Sequence, residues 1–118
     1  MQNLTSLVAD ARLVLEEKNR ARETALAHGR ALTRTCANAI RALHRGERET
    51  ARTAVDGARA EAARVSDALS AHPDLRHAGY VQDAHKELAE ASCLLALVES
   101  ADLPSPAHLG IAPAAFLN

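Results

Sequence analysis

From residue 4 to residue 44 the apolar positions keep returning to one helical face. Leu4, Leu7, Val8, Ala11 and Leu15 advance by threes and fours, and Leu32, Cys36, Ala39, Ile40 and Leu43 repeat the step. This spacing predicts a single helix over 4–44, with Asn3 as its N-cap and Gly46 just past its end. Gly29, in the middle, weakens that helix by about 1 kcal/mol relative to alanine, too little to break it. A second stripe, Ala51, Ala54, Val55, Ala58, Ala62, Val65 and Leu69, predicts a helix over 47–71. Pro73 ends it, and Asp74-Leu75-Arg76-His77 reads as a turn. A third helix is expected over 79–100. Its second half, Ala91-Ser92-Cys93-Leu94-Leu95-Ala96-Leu97-Val98, is apolar nearly all round, as a helix buried in a bundle reads. Leu103-Pro104-Ser105-Pro106 reads as a rigid extended connector, and a further helix start is expected from about 112, with Pro113 in its first turn.

Composition narrows the class. Apolar residues make up 47% of the 118 but aromatics only 2%, so a core must be built from Leu, Val, Ile and much Ala. That suits close-packed helices and suits a sandwich or barrel poorly. The expectation is one all-α domain over 1–118, a bundle of long antiparallel helices. No apolar run is long enough for a transmembrane span, and residues 1–18 lack the basic start and apolar stretch of a secretory signal. A cytoplasmic protein without a membrane partner is expected. Cys36 and Cys93 both sit at interior-looking positions far apart in sequence, and two buried free thiols are preferred to a disulfide or a metal pair.

Net charge is −1, but it is unevenly spread: residues 1–64 carry a net of +4 and residues 65–118 a net of −5. Nearly all of the positive half is arginine. Arg30, Arg34, Arg41 and Arg45 fall at i, i+4, i+11 and i+15, a narrow stripe opposite the Leu32, Cys36, Ile40 and Leu43 face. Arg48, Arg52 and Arg59 continue it on the second helix. Two readings stand. The stripe is either a solvated face laced with Glu23, Glu47, Glu49 and Glu61, or a track for phosphates, which arginine binds bidentately and without sequence information. Tyr80 and Phe116 are the only aromatics. Backbone or shape recognition is therefore favoured over base readout.

Asp83, Glu87 and Glu90 stand at i, i+4 and i+7, so one face of the third helix carries all three carboxylates. Glu87 and Glu90 are spaced to share one cation, with Asp83 a turn earlier as a ligand or support. All-oxygen ligation suits Mg²⁺ or Mn²⁺, and such a cation would serve phosphodiester cleavage. The rival reading pairs these acids with arginines and Lys86 on neighbouring elements. A third and fourth oxygen ligand are not obvious, since only Asp102 follows Glu99. The six histidines are scattered, with no H-E-x-x-H, and there is no Gly-rich phosphate loop or C-x-x-C.

Several blocks together resemble one family. Ala42-Leu43-His44-Arg45-Gly46-Glu47 is followed by His72-Pro73-Asp74-Leu75 and by Ala78-Gly79-Tyr80-Val81-Gln82-Asp83-Ala84. Lys86-Glu87-Leu88-Ala89-Glu90-Ala91, Leu103-Pro104-Ser105-Pro106 and Leu109-Gly110-Ile111 complete the set. In order and spacing they resemble the prokaryotic branch of the translin family. The resemblance implies packed long helices, homo-oligomers that close into hollow octamer-like shells, and binding of single-stranded RNA and DNA. In the branch of translin-associated factor X it also implies a Mg²⁺-dependent endoribonuclease, whose E-x-x-E pair falls on Glu87 and Glu90. The family's basic nucleic-acid segment falls near Arg76, His77 and Tyr80. Family members continue past Phe116-Leu117-Asn118 with a helix that carries two further acids. This chain is therefore expected to be the N-terminal portion of such a domain, with weak activity unless another chain completes the site. Two other readings stand beside the nuclease: a non-catalytic nucleic-acid-binding assembly subunit, and an all-α nucleoside-triphosphate pyrophosphohydrolase, which also uses E-x-x-E pairs.

Overall fold

A computed structural model describes residues 3–100, and the chain there is helical, with no strand among the described residues. Helix α1 spans Leu4–His44, α2 spans Arg48–Ala68, a short 3-10 helix spans Pro73–His77, and α3 spans Gly79–Ser100. The connector at 103–106 and the helix start near 112 lie outside the described residues.

Both ends of α1 follow from local chemistry. The Asn3 side-chain oxygen accepts the backbone N–H of Ser6 at 2.9 Å, which satisfies one of the free donors of the first turn. At the other end Gly46 adopts φ 78°, a left-handed conformation that side-chain-bearing residues avoid. Its N–H then reaches the Leu43 carbonyl at 3.0 Å and that of Glu47 reaches Ala42 at 2.9 Å, closing the helix. Helix α2 stops at Ala68, earlier than its apolar stripe predicts. The Ser70 hydroxyl takes the Asp67 carbonyl at 2.9 Å, and the His72 N–H takes that of Leu69, so the chain has already turned before Pro73.

Helix α2 folds back antiparallel to α1, and α3 runs parallel to α1 against both. Leu32, Cys36, Leu43, Val55, Leu94 and Val98 form the main core, and Ala25, Val65, Leu69 and Val81 form a smaller one at the end where α2 finishes. Alanine supplies Ala39, Ala42, Ala51, Ala58, Ala84 and Ala91 of the main core, so the helices approach closely around small side chains. One ion pair ties the 3-10 helix to α1, between Lys18 and Asp74.

Two expectations need correcting. The end of α3 is not buried all round: Ala91, Leu94, Leu95 and Val98 are inside, but Cys93 and Ala96 are exposed. With its neighbours all on one side, α3 keeps an outer face, and Cys93 lies on it as a free, exposed thiol. The apolar stripe of α1 is also only half used. Leu4 is 76% exposed, Leu7 51% and Leu15 62%, and full burial begins at Ala25. Helix α1 has 41 residues and its partners 21 and 22, so they cover only its second half.

The two glycines of α1 and its cap should respond oppositely to alanine. A Cβ on Gly29 would meet the Tyr80 ring at 3.8 Å, ordinary contact, so Gly29→Ala should stabilise by about 1 kcal/mol. Gly46→Ala, forced to positive φ, should destabilise by about 1 kcal/mol. Urea denaturation of both variants measures the difference.

Candidate functional site

Where the first turns of α3 meet the middle of α1, the two helices leave a groove of about 530 Å³. Leu26, Gly29, Arg30, Thr33 and Arg34 line it from α1, and Tyr80 and Asp83 from α3. Steps of three and four place the α1 residues along one border of its buried face, and the same step places Tyr80 and Asp83 together. The fold thus gathers Arg30, Arg34, Tyr80 and Asp83, four of the residues singled out in the sequence.

Arg30 and Arg34 are exposed and one helical turn apart, and neither forms an ion pair or side-chain hydrogen bond among the described residues. Tyr80 is half-buried beside Gly29. Its hydroxyl is buried and has no hydrogen-bond partner among the described residues. Leaving such a group unsatisfied costs about 1–3 kcal/mol, and native proteins meet it with water or a ligand. Two cations face one acid across the groove, so it presents net positive charge.

The acidic face continues up α3. Asp83 is exposed, and Glu87 and Glu90 are half-buried. The Glu90 side chain is 17% exposed and lies 4.0 Å from the Lys86 ammonium. The Glu87 carboxylate lies toward Cys36, whose thiol is pushed up to about 11, first by burial and then by that negative charge. The donor type suits Mg²⁺, but the geometry does not supply a site. Asp83 and Glu90 are seven residues apart, about 10 Å along the axis, whereas Mg²⁺ ligands converge to about 2.1 Å from the ion. Among the described residues no three His, Cys, Asp or Glu come together around a cation-sized space.

The remaining sequence candidates are distributed elsewhere. Arg41 donates to the Asn38 side-chain oxygen at 2.5 Å. Arg45 clamps Glu47, with its Nε 2.8 Å from the carboxylate, and that hydrogen bond holds the Glu47 carboxyl below its ordinary value. For Arg45 the solvated, acid-paired reading of the stripe is the one realised. Arg76 and His77 line a different cavity of about 300 Å³ with Val65, Leu69, Val81 and His85, on the flank of α3 away from Asp83. Of the expected nucleic-acid residues, Arg30, Arg34 and Tyr80 thus line one groove, Arg76 and His77 line another, and Arg41 and Arg45 line neither.

Sequence reasoning missed Thr33, which follows Arg30 by three and shares the groove. It also missed the bond between His28 Nδ1 and Glu61 at 2.6 Å, which joins α1 to α2. The first was legible from helical spacing; the second required the register between two helices. No family model, curated protein or solved structure matches this chain.

The two thiols should behave differently. Near neutral pH a thiol reagent should label exposed Cys93 promptly and reach buried Cys36 only on unfolding. The raised Cys36 pKa means that the folded state holds this proton more tightly. Its share of stability is whole below the ordinary value of 9.0 and is lost as pH rises through about 11. Urea midpoints between those pH values should fall more steeply for the native chain than for Cys36→Ala.

Proposed function

We propose that this chain binds single-stranded nucleic acid along the groove between α1 and α3, as a member of the translin family. One observation carries the reading: Arg30 and Arg34, without carboxylate partners among the described residues, stand at the rim of a groove that Tyr80 also lines. Each guanidinium presents a fork of donors that matches two phosphate oxygens. A turn of helix sets them about 6 Å apart, within reach of neighbouring phosphates on a flexible strand. Asp83 on the opposite wall repels phosphate, so the backbone runs along α1 and the ribose or base turns toward α3. There the Tyr80 ring meets a ribose or base, and the Thr33 hydroxyl offers a polar contact. A single aromatic in the groove gives little base discrimination. Arg76 and His77 supply a separate, weaker phosphate contact around the other flank of α3.

Mg²⁺-dependent endoribonuclease activity is a second reading, supported by Asp83 and Glu87, acids without ion-pair partners among the described residues, on the same face as half-buried Glu90. These three do not fit a cation by themselves. Further oxygen ligands would have to come from beyond residue 100 or from another chain.

Fluorescence anisotropy with a labelled single-stranded RNA tests the binding reading. Arg30→Ala/Arg34→Ala should weaken binding by about 100-fold or more, since charged hydrogen bonds contribute about 1.5–3 kcal/mol each. It should also flatten the plot of log affinity against log salt by about 1.4, at about 0.7 per lost phosphate contact. Arg45→Ala should bind as the native chain does. Equal affinity for the double variant at low salt would refute the groove as the binding track.

End-labelled RNA incubated with Mg²⁺ or EDTA tests the second reading, with Glu87→Ala/Glu90→Ala alongside. Cleavage that requires Mg²⁺ and disappears in the variant supports it. Salt-sensitive binding without cleavage leaves the binding subunit, and turnover of free nucleoside triphosphates instead would favour the pyrophosphohydrolase.

A further inference from the structure

We infer that the cavity at the corner of α2, the 3-10 helix and α3 is a phosphomonoester site, which takes the terminal phosphate of a nucleotide rather than the phosphodiesters of a passing strand. Its volume is about 300 Å³, at the small end of the range for ligand pockets and sufficient for one nucleotide. Three elements wall it: α2 supplies Ser66, the 3-10 helix supplies Arg76 and His77, and α3 supplies Gln82 and His85. The chain turns here from one long helix into the next, so the connection itself closes one side. A groove between two long helices, as at Arg30 and Arg34, lets a strand run through. A corner walled by three elements takes an end.

The donor set identifies the ligand. No Asp or Glu lines the cavity. The Arg76 guanidinium offers a planar fork of N–H groups, and each imidazole keeps an N–H donor in either protonation state. The Gln82 amide and the Ser66 hydroxyl add two neutral donors. Arg76, His77 and His85 form no ion pair or side-chain hydrogen bond among the described residues. Asp74, the acid of the 3-10 helix, pairs with Lys18 of α1 instead. Five donor side chains that share one cavity without a carboxylate suit an anion rich in oxygen. A phosphodiester presents two unesterified oxygens and a single charge. A phosphomonoester presents three and carries about −1.5 to −2 at pH 7, so it uses this donor set more fully.

Behind these donors the wall is apolar, since Val65, Leu69 and Val81 are buried and line the same cavity. They keep water from one side, which strengthens the charged hydrogen bonds, and they give a sugar or base a surface to lie on. Inorganic phosphate would leave that surface bare, whereas a nucleotide covers it. The same phosphate chemistry comes from two sources: a free nucleoside monophosphate, or the phosphorylated end of an RNA strand. The strand-end source rests on the nucleic-acid reading above, but the phosphate site itself does not depend on Arg30 or Arg34.

Titration calorimetry of the full chain with uridine 5′-monophosphate, uridine and dimethyl phosphate tests the site. The monophosphate should bind at least about 10-fold more tightly than either of the others, and Arg76→Gln should remove most of that advantage. Arg76 is exposed, so circular dichroism of the variant should match the native chain. Fluorescence anisotropy with one RNA strand, ending in either a 5′-phosphate or a 5′-hydroxyl, separates the sources. Tighter binding of the phosphorylated strand, lost in Arg76→Gln, supports the site at strand ends. Equal binding of the two strands beside a bound monophosphate supports it for free nucleotides. Monophosphate binding by a chain that ignores RNA also supports the site, and fails only the groove reading. Equal affinity for the monophosphate and for uridine or dimethyl phosphate would overturn the inference, as would an Arg76→Gln variant that binds the monophosphate like the native chain.

Discussion

A helix of 41 residues packed against partners of 21 and 22 organises everything else in this chain. At 1.5 Å per residue α1 is about 60 Å long and its partners little more than half that. Where they lie alongside it, one face of α1 forms the core and the border of that face forms the groove. Where they end, the same face continues into water, and the molecule reaches 71 Å by 24 by 18 Å. Helical stability in such an arrangement comes mainly from the buried face rather than from propensity. The many core alanines contribute little apolar area each, so the larger residues, Leu32, Leu43, Leu69 and Leu94, hold most of the hydrophobic stabilisation.

Charge is arranged by the same geometry. No acid occurs between Glu23 and Glu47, so Arg30 and Arg34 have no carboxylate within one helical turn on α1. On α2 the opposite holds. Arg59 is near Asp56, Arg64 meets Glu61 at 2.9 Å, and Arg52 reaches Glu99 of α3 at 2.8 Å. These exposed pairs add little to stability, but they neutralise the α2 surface. Positive charge without a local counterpart is left beside the groove, and this is why one arginine stripe in the sequence becomes two surfaces of different character.

The helices were legible because each signal is local. The period of apolar positions, the Asn3 cap and the Gly46 terminator together bound α1 at both ends. The uncovered half of α1 was not legible, since periodicity reports which face is apolar and says nothing of how long the partner will be. Cys93 was misplaced for a related reason: a segment apolar nearly all round does not reveal which side will face outward. In the site, the spacing of Arg30 with Arg34 and of Asp83 with Glu87 and Glu90 was plain. That Arg30 and Arg34 would share a groove with Tyr80 and Asp83 while Arg76 and His77 turned away depends on how α3 is rotated against α1. No local pattern encodes that rotation. Convergence of the three acids likewise could not be read from spacing, because ligands on one helix are spread along its axis.

The place of Tyr80 in the wall of the groove has an optical consequence. The chain has no tryptophan and a single tyrosine, so Tyr80 is its only strong intrinsic fluorophore. In most proteins tryptophan emission masks tyrosine and averages over many sites. Here ultraviolet emission originates at the wall of one groove, from the single ring that lines it. Any molecule that enters the groove and contacts that ring changes the quantum yield of the entire protein, so the chain carries a built-in, label-free reporter of its own occupancy.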